Sequence, residues 1–449
     1  MATLLNENLA TVITAKQCKQ ILHKYNEDNE SDLKLLSFSV TPAEEVKGFL
    51  GEYFHLNLIC TEIAAVEEEE VNSDEELTEE DHVDDDETKE VEEGANENID
   101  DEENFVGKSL KFFIKKLPLV HELHEKVIIF RKECRLYSSL LNELQEYSPQ
   151  PWCPKVYLCS SQLLVLQDLE EMGYHSLNNR ETLEECEIFA ILKALAAMHA
   201  SSLLYELYDK PIEDNFYDCL KEITVHPDIA WFTTGLKAIL EIAKKHPKYQ
   251  AEVSQEFIDK ELPYHLKSVY FMVNPSPKYH NVVCHRDPWG GNIFLNSEDP
   301  DAPAIFVDYQ TCRYSPPIID VIFTLFMNLP KEERMEKEME YLQYYWEQLK
   351  GVLSANDDGD GGESWGLNES EIMESYEEFK LFGYVYRALA ATILKVPKEM
   401  VTEEYKNVER TEPLLQFMEE NEEFRELMEE CVEDVIEIVI DMTMKDESF

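Results

Sequence analysis

In the second half of the chain, three short apolar segments interrupt long stretches of helical periodicity: Val282-Val-Cys284, Ile293-Phe-Leu295 and Ile305-Phe-Val307. The loop between the first two reads His285-Arg-Asp-Pro-Trp-Gly-Gly-Asn292, and Asp308 follows the third. This block constrains the fold more than any other part of the sequence. Runs of three or four apolar residues bounded by Asp, Asn, Gly and Pro suit short strands joined by tight turns. Around them, Thr182 to Leu204, Leu236 to Lys245, Lys331 to Leu349, Tyr376 to Leu394 and Phe424 to Met444 are the predicted helices. Thr182-Leu-Glu-Glu185 has the spacing of a capping box at a helix start. Such a chain must pack a short hairpin set into a large helical body.

The first part of the chain has a different pattern. Tyr53 to Cys60 alternates apolar and polar residues, Leu110 to Ile114 is short and aromatic, and Val156–Cys159 and Leu163–Leu166 resemble two further strands. Glu125 to Leu144 repeats Val127, Phe130, Cys134, Tyr137, Leu141 and Leu144 at helical spacing. Between the first two strands lies residues 67–104, with 22 acidic side chains, one lysine and no aromatic residue. It has too little apolar surface to offset the entropy of ordering, and is expected to be a disordered acidic insert in a strand-to-strand connection. The coarse architecture is therefore a small β-rich lobe followed by a large helical one.

With 94 acidic against 40 basic residues in 449, the formal charge is −54. Phosphate backbones and anionic membrane surfaces would be repelled, so no nucleic-acid partner and no membrane insertion is expected; any phosphate ligand must be held by a local positive charge. No apolar stretch is read as reaching transmembrane length, the longest candidate being Pro316 to Met327, which contains Asp320. The ten cysteines are scattered without a C-x-x-C pair, and the first residues carry no basic start followed by an apolar run. These features predict a reduced, cytoplasmic protein.

An H-x-D-x-x-x-x-N loop between strands, with a second Asp at the end of the next strand, suits phosphoryl transfer. That reaction needs a carboxylate to orient or deprotonate the acceptor hydroxyl, and oxygen ligands to hold Mg²⁺ on the phosphates. Asp287 is the candidate for the first task, and Asn292 and Asp308 for the second. The competing reading is that Asp, Asn, Gly and Pro are there only as turn residues. Trp289 either packs the loop or lines an acceptor pocket. Asn356-Asp-Asp-Gly-Asp-Gly-Gly362 imitates a calcium loop, but Leu367 stands where a bidentate glutamate belongs, so an acidic connection is expected instead.

HRDPWGGNIF followed by VDYQTCRYSPPIID resembles the catalytic segment of the ecdysteroid-kinase-like proteins, within the choline-kinase and aminoglycoside-phosphotransferase group. Val165-Leu-Gln-Asp-Leu169 with Gly173-Tyr174 is similar to that group's lobe-connecting hinge, and Leu195 to Ser202 to the helix after it. The resemblance implies an α+β, two-lobe protein-kinase-like fold: a small antiparallel-sheet N-lobe over 1–165, a hinge at 166–172 and a mainly helical C-lobe over 173–449. It also implies ATP or GTP as donor, Mg²⁺, and a small-molecule hydroxyl acceptor such as an ecdysteroid or another lipophilic alcohol. Phe112-Phe-Ile-Lys115-Lys-Leu-Pro118 resembles the strand carrying the nucleotide lysine, and Phe130 to Tyr137 the helix whose glutamate, Glu133, pairs with it. Lys116 is the alternative lysine. Gly48 and Gly51 occupy the position of the phosphate-covering loop, although a β-turn glycine pair reads equally well; Gln167 and Leu169 would face the nucleotide at the hinge. Asp320 resembles the aspartate that braces the catalytic loop, with a plain helix cap as the other reading. Arg286 stands where the family commonly has glycine, and Pro288 is also unusual there. These departures leave a second function open: a catalytically inactive binding or scaffold protein that uses the acidic insert to recognise partners.

Overall fold

The computed structural model describes residues 12–43, 51–62, 107–118, 124–177, 183–208, 211–299, 301–356 and 365–446. The acidic insert at 67–104, Gly48, the Thr182 cap and residues 357–364 of the acidic connection lie outside them. Two compact units divide the chain: Met1–Pro42 with His55–Phe112, and Ala43–Phe54 with Phe113–Phe449.

In the first unit, helix α1 (Ala15–Asn29) begins with a capping box. The Thr14 side chain accepts the Gln17 N–H, while the Gln17 side chain accepts the Thr14 N–H at 2.9 Å. Its buried Cys18, Ile21 and Leu22 repeat at helical spacing. Strand β1 (Leu33–Pro42) neighbours β2 (Glu52–Glu62), which neighbours β3 (Lys108–Lys116). Leu56, Leu58 and Cys60 alternate to the buried face of β2, as the period of two requires.

The second unit includes residues 52–54 of β2 and 113–116 of β3. There the pattern predicted as one helix over 125–144 is broken in two: α2 (His124–Ser138) and α3 (Leu140–Gln145). Ser139 adopts φ −137° and ψ −87°, and its hydroxyl donates back to the Arg135 carbonyl at 2.6 Å, the local side-chain competition that lets serine interrupt helices. Strand β4 (Val156–Cys159) pairs antiparallel with β5 (Leu163–Gln167), and β5 lies beside β3.

After β6 (Tyr174–Ser176) comes α4 (Glu185–Tyr208), buried on nearly every side. This helix corrects a sequence expectation, because by length and composition it is long and apolar enough to cross a bilayer. Its alanines and serines disguise it: no residue is strongly apolar for long, yet none from Ala194 to Tyr205 is charged. With 89% of its apolar window buried within the protein, it is a core helix here.

The remaining elements are α5 (Ile212–Phe216), α6 (Ala230–Lys245), α7 (Pro247–Glu252), α8 (Leu262–Met272), β7 (Val282–Cys284), β8 (Ile293–Asn296), β9 (Ile305–Phe306), β10 (Arg313–Ser315), α9 (Ile318–Asn328), α10 (Lys331–Ala355), α11 (Glu369–Leu394), α12 (Glu403–Asn407), α13 (Thr411–Glu420) and α14 (Glu422–Asp446). The three predicted strands do not form one hairpin set. Strand β7 pairs with β10, with Cys284 opposite Arg313, whereas β8 lies between β6 and β9. The loop from Cys284 to Ile293 therefore passes from one small sheet to another.

Candidate active site

Lys115 lies near the end of β3, where Ile114 is fully buried on the opposite face. Its Nζ donates to Glu133 Oε2 on α2 at 2.7 Å and to Asp308 Oδ1 at 2.8 Å. Burial alone would lower the lysine pKa, but the Asp308 and Glu133 carboxylates outweigh it and hold the ammonium charged, above its ordinary range. Lys116 is also buried but takes no part in this pair. Tyr53 stacks on Phe113 with ring centroids 5.9 Å apart, and its phenol is pushed up to about 12, mainly by burial. A Cβ on Gly51 would stand 3.2 Å from Lys115 Cγ, so a larger residue there would crowd the lysine stem.

The loop after β7 is held from several directions. Asp320, in the first turn of α9, accepts the backbone N–H groups of His285 at 2.6 Å and Arg286 at 2.7 Å. His199 Nε2 stands 3.2 Å from the same carboxylate, and its Nδ1 is 2.8 Å from the Tyr345 hydroxyl. His285 Nε2 donates to the Val307 carbonyl at 2.9 Å, leaving Nδ1 to accept the Asp287 N–H at 3.2 Å. Those two bonds need a neutral imidazole, and burial lowers the His285 pKa to match. Asn328 pins the middle of the loop, accepting the Gly290 N–H at 3.1 Å and donating to the Pro288 carbonyl at 3.0 Å. Trp289 packs the loop: its ring lies so close over Gly291 that a Cβ there would meet it at 2.3 Å.

Asn292 donates through Nδ2 to the Asp287 backbone carbonyl and to Asp287 Oδ2, each at 3.0 Å. Burial and then the Asp308 carboxylate push Asp287 well above the usual carboxylate range, against hydrogen bonding from Asn292 and Trp289. Arg286 and Asp308 both have left-handed backbones, with φ of 71° and 65°, a conformation rarely adopted outside glycine, asparagine and aspartate. Gln310 Nε2 donates to Asp308 Oδ2 at 3.3 Å.

Sequence patterns did not reveal the charge cluster beneath this loop. Glu222 accepts the N–H groups of Ile223, Thr224 and Val225 through Oε1, while Oε2 faces Arg286 at 3.6 Å and Arg313 at 3.4 Å. Burial would raise its pKa, but the two guanidinium groups win and lower it. Lys132, next to Glu133, donates to the carbonyls of Lys221 and Cys312 at 2.9 Å each. The long loop after α5 carries no motif, so only tertiary contact identifies Glu222.

Lys115, Glu133, Asp287, Asn292 and Asp308 are thus drawn together, with Gly51 against the lysine. Gln167 and Leu169 are not tied to that group by hydrogen bonds among the described residues. Gln167 bonds Lys155, and Leu169 joins a small buried cluster with Tyr174 and Ile305. The donor set suits Mg²⁺: Asp308 offers hard carboxylate oxygens and Asn292 a carboxamide oxygen. Asn292 directs its amide N–H₂ at Asp287, and its carboxamide oxygen accepts no hydrogen bond from the described residues.

In fold, the chain is similar to an ethanolamine kinase of Plasmodium vivax, with 12% identity, 95% of each chain covered and a TM-score of 0.38. It is also similar to a macrolide 2'-phosphotransferase of Brachybacterium faecium, with 12% identity, 82% of this chain and 92% of that chain covered and a TM-score of 0.35. Likenesses of that size bear on neither substrate nor mechanism. No curated protein sequence matches the chain. The model of the ecdysteroid kinase-like family matches residues 96–356, more than half of the sequence, and includes every residue of the Lys115, Glu133, Asp287, Asn292 and Asp308 group. The chain therefore belongs to the ecdysteroid kinase-like family of small-molecule phosphotransferases.

Proposed function

We propose that the protein transfers the γ-phosphoryl group of ATP or GTP to a hydroxyl of a small lipophilic acceptor, such as an ecdysteroid or a xenobiotic alcohol, in the cytoplasm and with Mg²⁺. The observation that carries this is Lys115, a buried ammonium bonded at once to Glu133 and Asp308, with the Asp287–Asn292 pair close enough for Asp308 to shift Asp287. In this proposal Lys115 neutralises donor phosphate charge and Glu133 keeps it aimed. Asp287 accepts the acceptor's proton; a carboxylate raised toward neutrality is better matched to that task than an ordinary one. Asn292 and Asp308 would hold Mg²⁺, which when bound offsets charge on the phosphates. Gly51, with Gly48, would let backbone approach those phosphates, and Gln167 and Leu169 would contact the base at a hinge between lobes 1–165 and 173–449.

The test is a phosphate-transfer screen with Mg-ATP and Mg-GTP over steroid, plant-derived and synthetic alcohols, run with the Asp287→Asn protein in parallel. Transfer by the native chain that disappears in Asp287→Asn, while nucleotide still raises the melting temperature, is the expected result. Full turnover by the variant overturns the assignment.

A further inference from the structure

Helix α2 and strand β4 each bring one cysteine to the place where they meet. Cys134 Sγ donates to the Ser160 carbonyl at 3.5 Å, and Cys159 Sγ donates to the Cys134 carbonyl at 3.5 Å. Each thiol is thus held on backbone at or beside the other cysteine, and the two side chains also bond one another. That contact, ahead of burial, raises the Cys134 thiol above its ordinary range. Both cysteines are free; Cys134 is buried, whereas Cys159 is half-buried and so the more accessible of the two. Strand β4 stands at the edge of its sheet, and its register with β5 slips between Val156 and Leu158, so a single neighbouring strand constrains the Cys159 end. On the helix side, Cys134 directly follows Glu133, whose Oε2 accepts from Lys115 Nζ at 2.7 Å.

We propose that Cys134 and Cys159 are a reversible disulfide site, and that closing it draws α2 against β4 and loosens Glu133 from Lys115. The effect on nucleotide binding rests on the phosphotransferase reading above; the disulfide itself does not. A disulfide holds its sulfurs about 2.05 Å apart, closer than two thiols that share a hydrogen bond, so the helix must shift or turn to close it. Glu133 lies about 100° round the helix from Cys134 and is carried with that turn. Its bond to Lys115 is already short and directional, and it weakens as the carboxylate swings away. The co-reactant is a small disulfide such as glutathione disulfide. The Cys159 thiolate attacks one of its sulfurs and releases one glutathione thiolate, which is protonated in place of the Cys159 thiol. Cys134 then gives up its proton, attacks Cys159 Sγ and expels the second glutathione. Two protein thiols are oxidised and one glutathione disulfide becomes two glutathione molecules. Because the Cys134 thiol is held protonated, the second step is the slow one near neutral pH and quickens as pH rises.

The experiment treats the full-length protein with glutathione disulfide, at a dose that modifies the exposed Cys186 on α4, and maps linkages by mass spectrometry of non-reduced digests. Peptides joined through Cys134 and Cys159 are the expected product, formed faster as pH rises from 7 to about 8.5 and separated again by dithiothreitol. Cys134→Ser should stop at glutathione on Cys159, and Cys159→Ser should leave Cys134 unmodified; Cys159→Ala replaces the serine variant if that melts early. The linked protein should bind Mg-ATP about tenfold or more weakly than the reduced one, the loss of the charge-assisted bond that aims Lys115. Cys159→Ser, oxidised in the same way, should keep the affinity of the reduced native protein. Modification of Cys186 without the Cys134–Cys159 link, or a linked protein with unchanged Mg-ATP affinity, overturns the proposal. If the link forms while the reduced native protein gives no Mg-ATP thermal shift, the disulfide site stands, and its coupling to nucleotide falls together with the phosphotransferase reading.

Discussion

Asp320 Oδ1 accepts the backbone N–H of Arg286 at 2.7 Å across thirty-four residues of sequence, and the residue it holds has a left-handed φ of 71°. The bond does more than cap α9. Its other oxygen accepts the His285 N–H, so a single buried carboxylate sets two consecutive peptide units next to Asp287. Asp320→Asn puts an N–H₂ group against one of those donors. The expected cost is about 1–3 kcal/mol of stability for an unsatisfied buried donor. Phosphate transfer should fall about 10²-fold or more with Mg-ATP affinity nearly constant, because the loop moves while Lys115 does not. Denaturant unfolding with a KM-against-kcat comparison checks this; a native kcat would mean that Asp320 is only a cap.

Lys115→Met leaves Glu133 and Asp308 facing each other without their shared cation. Removing one partner of a buried pair typically costs about 3–5 kcal/mol, so the melting temperature without nucleotide should drop clearly. The Mg-ATP thermal shift should disappear as well. Glu133→Gln retains a hydrogen-bond acceptor for Nζ and should cost less on both measures. Persistence of the full nucleotide shift in Lys115→Met would remove the lysine from the phosphate site.

The neutral imidazole of His285 predicts a pH effect of definite sign. Burial lowers its folded pKa below the ordinary histidine value of about 6.5, so the unfolded chain binds a proton that the folded chain refuses. Stability from this group is complete above the unfolded pKa and is lost as pH falls toward the folded one. The native protein should therefore lose melting temperature between pH 7 and pH 5, and His285→Gln should show a shallower acid slope. That variant should also start about 1–3 kcal/mol lower at pH 7, since the Val307 carbonyl or the Asp287 N–H loses its partner. Parallel pH curves for the two proteins would exclude the histidine as the source.

The loop residues and the lysine–glutamate pair were legible because spacing carries them: four residues lie between Asp287 and Asn292, and a connection and part of a helix lie between Lys115 and Glu133. Strand alternation could not by itself choose Lys115 over Lys116, since both ended buried. Partner choice among short strands was not legible. Three residues of β7 carry no register information, and pairing with β10 depends on how the 313–315 segment returns. Glu222 and Asn328 were invisible for separate reasons: Glu222 lies in a loop without a motif, and Asn328 ends a helix whose pattern reports only which face is buried. The split at Ser139 was written in Ser138-Ser139, but the apolar repeat ran through it and masked it. What the acidic insert contributes lies outside the described residues.

Two glycines in helices should respond in opposite directions to the same substitution. On α6, a Cβ at Gly235 would meet Leu389 Cγ at 2.7 Å, Leu389 Cδ1 at 2.8 Å and Arg410 Nη1 at 2.9 Å. That is where α6 and α11 approach one another, and Arg410 already bonds both helices, so its guanidinium has little freedom to yield. On α10, a Cβ at Gly351 would meet nothing within 4 Å. Alanine favours a helix interior over glycine by roughly 0.5–1 kcal/mol, so Gly351→Ala should stabilise the protein by about that amount. The same helical gain applies to Gly235→Ala, but overpacking a fixed contact costs about 1–3 kcal/mol, and the net effect should be destabilising. Urea unfolding of both variants measures the two signs directly. Stabilisation by Gly235→Ala would show that α6 and α11 separate easily and that the Arg410 bonds between them yield.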